Sequence, residues 1–300
     1  MAEYKHYVTV VDMFELEDYK MVAEYKTLKC KFCDSKRVVR YGQYKKVQRW
    51  WCKDCKRKFA DNDALPGMRT PITEIAAALT MFYEGLSLNG IRRNLDQIFN
   101  DYPSDSTVYG WIVRFTKAAI AEVKDYRMQV GSVWIADETV LKIEGRNFWF
   151  WDIIDNKTRF LLASHMSLTR TTKDARILVE RAATRARKVP RLIITDKLAA
   201  YLDGIELAFG ADTKHVQTKG FTTQPNTNMI ERFHGTLKSR TKVMRGLKKR
   251  DSAKLVMEGW LVHYNFFRPH EALKDRTPAW AAGVKYPYYN WADIVRKAGT

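Results

Sequence analysis

The sequence predicts an α/β protein with a mixed five-stranded β-sheet flanked by helices and preceded by two smaller modules. From Gly131 to Gln217, consecutive strand-like segments are followed by alternating helix and strand patterns, which is typical of a mixed sheet with helices on its faces. Upstream, residues 70–117 show helical periodicity, and residues 30–55 carry paired cysteines. We therefore predict a four-cysteine module at 27–62, a helical domain at 68–120 and the sheet domain at 128–283, with residues 1–26 unassigned and 284–300 as a tail.

The cysteines form two CxxC pairs, Cys30 with Cys33 and Cys52 with Cys55. Each pair presents two thiolates from one tight turn, so two pairs complete the tetrahedral shell of a structural zinc ion. Redox CxxC motifs or free cysteines are the alternatives. The insert between the pairs is basic and aromatic, and we expect its exposed cations to contact nucleic acid, namely Lys45, Lys46 and Arg49.

The helical region predicts three short helices, punctuated by Gly85 and by residues 100–103. Their apolar positions recur at helical spacing, with Ser87 and Ser104 or Asp105 as N-caps. This arrangement resembles a helix-turn-helix, whose third helix would direct polar side chains to the major groove, namely Ser106, Thr107, Tyr109, Arg114 and Lys117. An ordinary three-helix packing unit is the alternative.

The sheet region predicts three antiparallel strands at Val133–Ile143, Phe148–Ile154 and Thr158–Ser164. Then come a helix near 172–188, an apolar strand at Leu192–Ile194, a helix near 198–209 and a short strand around 215–217. Two further helices follow, at about 228–244 and 252–267, and Pro269 ends the second. This order of elements resembles that of a ribonuclease-H-like domain.

The charge of the chain indicates a polyanionic partner. The 300 residues carry a net charge of +18, with a pI near 9.7. Lys and Arg that neutralise phosphates release condensed counterions, which favours nucleic acid as the partner, whereas a well-solvated cationic surface is the alternative. The basic residues are concentrated in two stretches, Lys26–Lys58 and Arg232–Lys254. Neither stretch has the pattern of an amphipathic membrane-binding helix.

No segment of the sequence has the pattern of a signal peptide or a membrane span. Charged residues occur throughout Met1–Lys26, and the longest apolar run, Ile75–Tyr83, falls well short of the ~20 residues that a span requires. We therefore expect an intracellular, cytoplasmic protein, in which structural disulfides are disfavoured.

Three acidic residues are the main candidates for chemistry: Asp137, Asp196 and Glu231. Asp137 lies within an apolar strand, where an acid is costly unless it is paired or binds a cation. Asp196 follows a buried strand, and ligands collect at such strand ends. For each there is a plain alternative: a buried salt bridge for Asp137, a helix N-cap for Asp196 and a solvated helical acid for Glu231. Strand alternation places Glu138 on the face opposite Asp137, which makes it the weaker candidate.

These motifs resemble those of the DDE transposases of insertion sequences, most closely the small cointegrate-forming branch, with a zinc ribbon added. The likeness covers roughly residues 130–283 and rests on four segments, Trp134–Thr139, Ile194–Asp196, Asn228–Lys238 and Tyr264–Leu273. It implies that the three acids bind Mg²⁺ or Mn²⁺ and that water first frees a 3′ hydroxyl, which then attacks target DNA. It also implies DNA contacts by Arg232 and Lys238, double-stranded DNA as substrate, an assembly of at least two copies when the ends are synapsed, and a nucleoid-associated prokaryotic protein.

Other readings of the same residues remain open at this point. A DNA-binding regulator or decayed transposase would keep the first two modules and lack chemistry. A recombinase with a tyrosine nucleophile is permitted by the fifteen tyrosines, although no His is followed three residues later by Arg. We expect four histidines to make structural or DNA-backbone contacts rather than to bind metal, namely His215, His234, His263 and His270.

Overall fold

A computed structural model describes residues 28–44, 47–218, 227–243 and 249–299. The chain divides into two compact units, Met1–Asp61 and Asn62–Thr300. None of the helices in these ranges combines the length and the apolar character that a membrane span requires.

The first unit contains a three-stranded antiparallel sheet of β1 (Val38–Tyr44), β2 (Val47–Cys52) and β3 (Lys58–Ala60). One face packs Val38, Trp50 and Phe59 against the cysteines. Alternation along the strands places Trp51 and Lys58, which are paired in register, on the opposite face. The small sheet therefore has one face closed by the cysteine cluster and one face that carries aromatic and basic side chains.

The second unit begins with the three expected helices, α1 (Ile72–Tyr83), α2 (Leu88–Phe99) and α3 (Asp105–Val123). The Ser87 hydroxyl accepts a hydrogen bond from the amide of Gly90, and the Ser104 hydroxyl accepts one from the amide of Thr107, so both serines act as N-caps. The apolar faces of the three helices are buried in the main core. The third helix runs six residues beyond Lys117, because its apolar period continues to Val123.

The predicted mixed five-stranded sheet is confirmed. It consists of β4 (Val133–Ile143), β5 (Arg146–Asp155), β6 (Leu161–Ser167), β7 (Leu192–Thr195) and β8 (Lys214–Gln217), in the order β6-β5-β4-β7-β8. The strand β5 is antiparallel to both β4 and β6, whereas β4, β7 and β8 run parallel to one another. Because β4 and β7 are parallel, the carboxyl end of β7 lies beside the middle of the longer β4.

Helices cover both faces of this sheet. The helices α4 (Thr172–Ala186) and α5 (Ala199–Phe209) lie on the face to which Trp151 points, since the rings of Trp151 and Tyr201 are 5.5 Å apart. The helix α6 (Asn228–Val243) lies on the other face, where His234 contacts Asp152. Successive side chains of β5 therefore reach opposite layers.

One strand differs from the expectation. The sequence predicts the third strand at residues 158–164, whereas β6 spans Leu161–Ser167. The side chain of Asp155 accepts hydrogen bonds from the amide and the hydroxyl of Thr158, at 2.7 and 2.6 Å, and this holds residues 156–158 in a turn. Pairing with β5 consequently starts at Leu161.

The last part of the chain packs on the first helices. Helix α7 (Arg250–Val262) continues as a π turn at His263–Phe267, and α8 (Pro278–Ala281) and α9 (Trp291–Lys297) follow. Residues 284–300, expected as a tail, instead contain α9, whose buried Trp291 stacks on Tyr83 of α1 at 5.1 Å. At Gly259, α7 comes so close to α1 that any Cβ would overlap the Tyr83 hydroxyl. The helical domain and the sheet domain thus share one core.

Candidate active site

Asp137 and Asp196 lie side by side, where β7 ends next to the middle of the parallel strand β4. Asp137 is in the middle of β4, and Asp196 directly follows β7, whose Ile194 is in register with Ile135. Asp137, Glu138 and Asp196 each offer a carboxylate oxygen, and these oxygens lie within 4.8 Å of one another. The Oδ1 atom of Asp196 also accepts a hydrogen bond from the Leu198 amide at 2.9 Å. The helix α5 begins at Ala199 with Leu198 as its N-cap, so Asp196 holds the turn before the helix and does not cap it.

Glu138 belongs to this cluster although strand alternation directs it to the other face. Because β7 ends at Thr195, no strand flanks β4 at the level of Glu138, and its carboxylate can approach Asp196 around the sheet edge. Arg170 donates two hydrogen bonds to Oε1 of Glu138, one of them from Nε at 2.9 Å, and it lies 3.9 Å from Oδ2 of Asp196. The guanidinium of Arg170 also lies over the ring of Trp149. Arg170 is a counter-cation that sequence reasoning missed.

Glu231 is on α6, outside the group of three. Its Oε1 accepts a hydrogen bond from the Thr227 hydroxyl at 2.7 Å, and the side chain is half-buried in the first turn of the helix. One turn later on the same helix, Nδ1 of His234 lies 3.3 Å from Oδ2 of Asp137. The structure thus brings together two of the three predicted acids and attaches the helix of the third to Asp137 through His234.

His234 lies between two carboxylates. Its Nε2 atom is 3.0 Å from Oδ2 of Asp152, which is fully buried on β5. Burial by itself lowers the pKa of His234, but hydrogen bonds and charges from Asp137 and Asp152 outweigh it and raise that pKa to about 9. Ionised carboxylates only accept hydrogen bonds, so both ring nitrogens of a fully paired His234 carry protons. Sequence reasoning missed Asp152, although an acid between the aromatic segment Phe148–Trp151 and the apolar pair Ile153–Ile154 was a usable signal.

The electrostatics of the cluster favour a cation. Burial raises the pKa of Asp196, and the neighbouring Asp137 raises it further, against the lowering effect of the Leu198 amide. Burial and then the charge of Asp196 also raise the pKa of Glu138. Asp196 and Glu138 are thus destabilised in their charged forms, by desolvation and by like charge, which raises their pKa values. Carboxylate oxygens are hard ligands, so the donor set fits Mg²⁺ or Mn²⁺.

The cysteines of the first unit form a second site with the geometry of a zinc centre. The sulfur atoms of Cys30 and Cys55 are 3.5 Å apart, and those of Cys33 and Cys52 are 3.7 Å apart. A tetrahedral ion with Zn–S bonds of about 2.3 Å places its sulfurs about 3.8 Å apart. The Phe32 amide donates to the sulfur of Cys30 at 3.4 Å, as expected next to a thiolate. The four cysteines therefore fit a closed, structural zinc shell.

The side chains expected to contact DNA are mostly exposed. Ser106, Thr107 and Arg114 lie on the open side of α3, and Arg232 and Lys238 lie on the open side of α6. The guanidinium of Arg49 lies over the rings of Tyr41 and Tyr44, at 5.8 and 5.9 Å. Lys45 and Lys46 lie outside the described residues.

Comparison with known proteins agrees with this geometry. Residues 131–270 match a protein family described as a DDE domain. An uncharacterised protein in transposable element ISH50 of Halobacterium salinarum is 28% identical over 197 residues, which cover 58% of this chain and 61% of that protein. The chain thus spans about three fifths of the length of this curated relative.

Solved structures with a similar fold include integrase catalytic cores. The HTLV-2 integrase core in complex with magnesium, in its trimeric form, has a TM-score of 0.41 and 16% identity over 52% of this chain and 99% of that chain. The BIV integrase core has a TM-score of 0.39 and 15% identity over 51% of this chain and 93% of that chain.

The cysteine site predicts about one equivalent of tightly bound zinc per chain. The variant Cys52→Ser, which removes one of the four thiolates, is expected to lose most of this zinc and to unfold the first unit, because a closed zinc shell supplies much of the folding free energy of so small a sheet. Metal analysis of freshly reduced protein measures the zinc, with Ser35→Ala as a control outside the ligand set. A folded ribbon with less than about half an equivalent of zinc would contradict the assignment.

Proposed function

We propose that the chain is a DDE transposase of the ribonuclease-H-like superfamily, which cleaves and joins DNA strands at the ends of an insertion sequence; the match of residues 131–270 to a DDE domain and the relative in a transposable element support this. The observation that carries this proposal is the proximity of Asp137 and Asp196, where β7 ends beside the middle of β4. Asp137 and Asp196 are half-buried, and burial raises the pKa values of Asp196 and the adjacent Glu138. This cluster of acids favours a divalent cation as its partner.

We propose that Asp137, Asp196 and Glu231 hold the divalent cations. The proximity of Asp137 and Asp196 supports their role. The position of Glu231 supports its role, because it lies on α6 one turn before His234, which contacts Asp137. Glu138 is the rival third ligand, but Arg170 already binds one of its oxygens. A bound Mg²⁺ or Mn²⁺ would activate the attacking oxygen and stabilise the leaving oxygen of an in-line displacement at phosphorus.

DNA binding is proposed for the open face of the ribbon and for α3. On the ribbon, Nζ of Lys58 lies 4.0 Å from the ring centre of Tyr41 and donates to its hydroxyl at 2.7 Å. Arg49, on β2, lies over the same ring. These cations are held in place by the rings, which suits contact with the phosphate backbone of duplex DNA. On α3, the exposed Ser106, Thr107 and Arg114 suit the major groove.

Two copies of the chain are expected in the active assembly. Transposition requires both ends of an element to be brought together, so two active sites are held on one DNA complex.

We propose that the basic side chains of α6, Arg232 and Lys238, contact the DNA close to the site, because they are exposed on the helix that carries Glu231. Their charge neutralises phosphates without reading sequence.

Substitution of Asp196 tests the chemistry. The variant Asp196→Ala removes one carboxylate of the cluster and is expected to lower the rate of oligonucleotide nicking and joining with Mg²⁺ by at least ~10³-fold, equivalent to about 4 kcal/mol of transition-state stabilisation. The variant Asp203→Ala, at an exposed position of α5, is the matched control. Full activity of Asp196→Ala would rule out the metal site, and a covalent protein–DNA adduct would indicate a tyrosine nucleophile instead.

A pair of charge-neutral variants identifies the third ligand. We expect Glu231→Gln to abolish strand cleavage to the same extent as Asp196→Ala, because a metal-bound carboxylate has no amide substitute. Glu138→Gln should cost much less, on the order of 10-fold, because it removes only the charged partner of Arg170. Single-turnover cleavage rates at saturating Mn²⁺ measure both. The reverse order of effects would assign the third position to Glu138.

The salt dependence of binding separates the two DNA-contacting surfaces. Lys58→Ala is expected to weaken binding to all duplexes alike and to reduce the slope of log K against log salt by about 1, since one phosphate contact is lost. Arg114→Ala should instead reduce the preference for the element's own ends over unrelated DNA. Fluorescence anisotropy at several salt concentrations measures both, with Lys285→Ala as the control at another exposed site. Unchanged slope and preference would remove these surfaces from the DNA interface.

A further inference from the structure

A row of polar side chains crosses the sheet beneath α6. Asp152 of β5 lies directly opposite Asp137 of β4 in the antiparallel register, and Ser164 of β6 lies opposite Asp152. Side chains paired in this way point to the same face of the sheet. Asp152 is fully buried. Two facing carboxylates at such a depth repel each other and are unstable without donors between them.

His234 and Ser164 supply these donors. The Ser164 hydroxyl donates to Oδ1 of Asp152, and Nε2 of His234 donates to Oδ2 of the same carboxylate. Both oxygens of Asp152 are thus engaged, so Asp152 is an orienting group and is not available as a metal ligand. The other ring nitrogen of His234 faces Oδ2 of Asp137. Within the described part of the chain, Oδ1 of Asp137 accepts no hydrogen bond from a side chain, so it is the oxygen that remains for a cation.

We propose that His234, held by Asp152, is the positioning residue of the active site: it fixes the Asp137 carboxylate in the orientation that binds the divalent cation. The proposal rests on the proposed function, in which Asp137 is a metal ligand. A ligand whose second oxygen is fixed by a donor loses less freedom when the metal binds. Removal of such outer partners typically weakens metal binding by about 10–100-fold.

The same contact also sets the position of α6. Glu231 lies three residues before His234, so both side chains are on the same side of the helix, one turn apart. Because the ring of His234 is anchored to two strands at once, the distance of the first turn of α6 from β4 is fixed. His234 therefore positions two proposed ligands, Asp137 directly and Glu231 through the helix.

Calorimetric Mn²⁺ binding tests this, because a purely structural histidine would change stability and leave the affinity of the folded protein unchanged. We expect His234→Gln to raise the Kd for Mn²⁺ by about 10–100-fold, and to require correspondingly more Mn²⁺ for half-maximal DNA cleavage. His165→Gln is the matched control, since His165 also contacts a carboxylate, that of Asp174 at 3.2 Å, but on the other face of the sheet. Its Kd for Mn²⁺ should equal that of the wild type.

Two further variants cover the case in which His234→Gln does not fold. Asp152→Asn keeps the shape of the side chain and removes its charge, and Ser164→Ala removes only a hydroxyl. Both are expected to raise the Kd for Mn²⁺ in the same direction, Asp152→Asn more strongly. Wild-type Mn²⁺ affinity in a folded His234→Gln or Asp152→Asn protein would overturn the positioning role while leaving the metal site intact. Absence of Mn²⁺ binding by the wild type, or wild-type affinity in Asp196→Ala, would overturn the proposed function and this inference with it.

Discussion

The concentration of negative charge where β7 ends beside the middle of β4 is the constraint on which the rest of the site depends. Burial and neighbouring carboxylates destabilise the charged forms of Asp196 and Glu138, which raises the pKa of each. The fold compensates from three directions: the Leu198 amide at the start of α5, Arg170 from the loop after β6, and His234 from α6. Each of these groups comes from a different element. The acidic cluster therefore determines how the surrounding helices and loops are docked on the sheet.

Much of this architecture could be predicted from the sequence, because it depends on local patterns. The period-two segments gave β4 and β5 their bounds to within a few residues, and Ser87 and Ser104 indicated the starts of α2 and α3. The spacing of the four cysteines also predicted that their sulfur atoms would cluster, because each CxxC pair forms a local turn. Contacts between residues that are close in the chain can therefore be predicted from the sequence.

The parts that could not be predicted depend on contacts between distant segments. Nothing near Glu138 in the chain indicates that β7 ends just short of it, which is why alternation alone placed its carboxylate away from the cluster. The role of His234 likewise requires β4, β5 and α6 to be brought together. The start of β6 was displaced by the hydrogen bonds of Asp155 to Thr158, which outweigh the β-propensity of the residues in the turn. The helix α9 was missed because its burial depends on Tyr83, more than two hundred residues earlier.

The contact of Trp291 with Tyr83 and the close approach at Gly259 have a consequence for how proteins with this arrangement can diversify. The core of the helical domain includes side chains of α7 and α9. Replacement of the helical domain by that of another protein would therefore require replacement of α7 and α9 as well. Under the proposed DNA-binding role of α3, recognition of new DNA ends would change by single substitutions on its exposed side, while its inner side stays fixed by the shared core. The unit that carries the four cysteines, by contrast, is compact by itself and can be gained or lost as a whole.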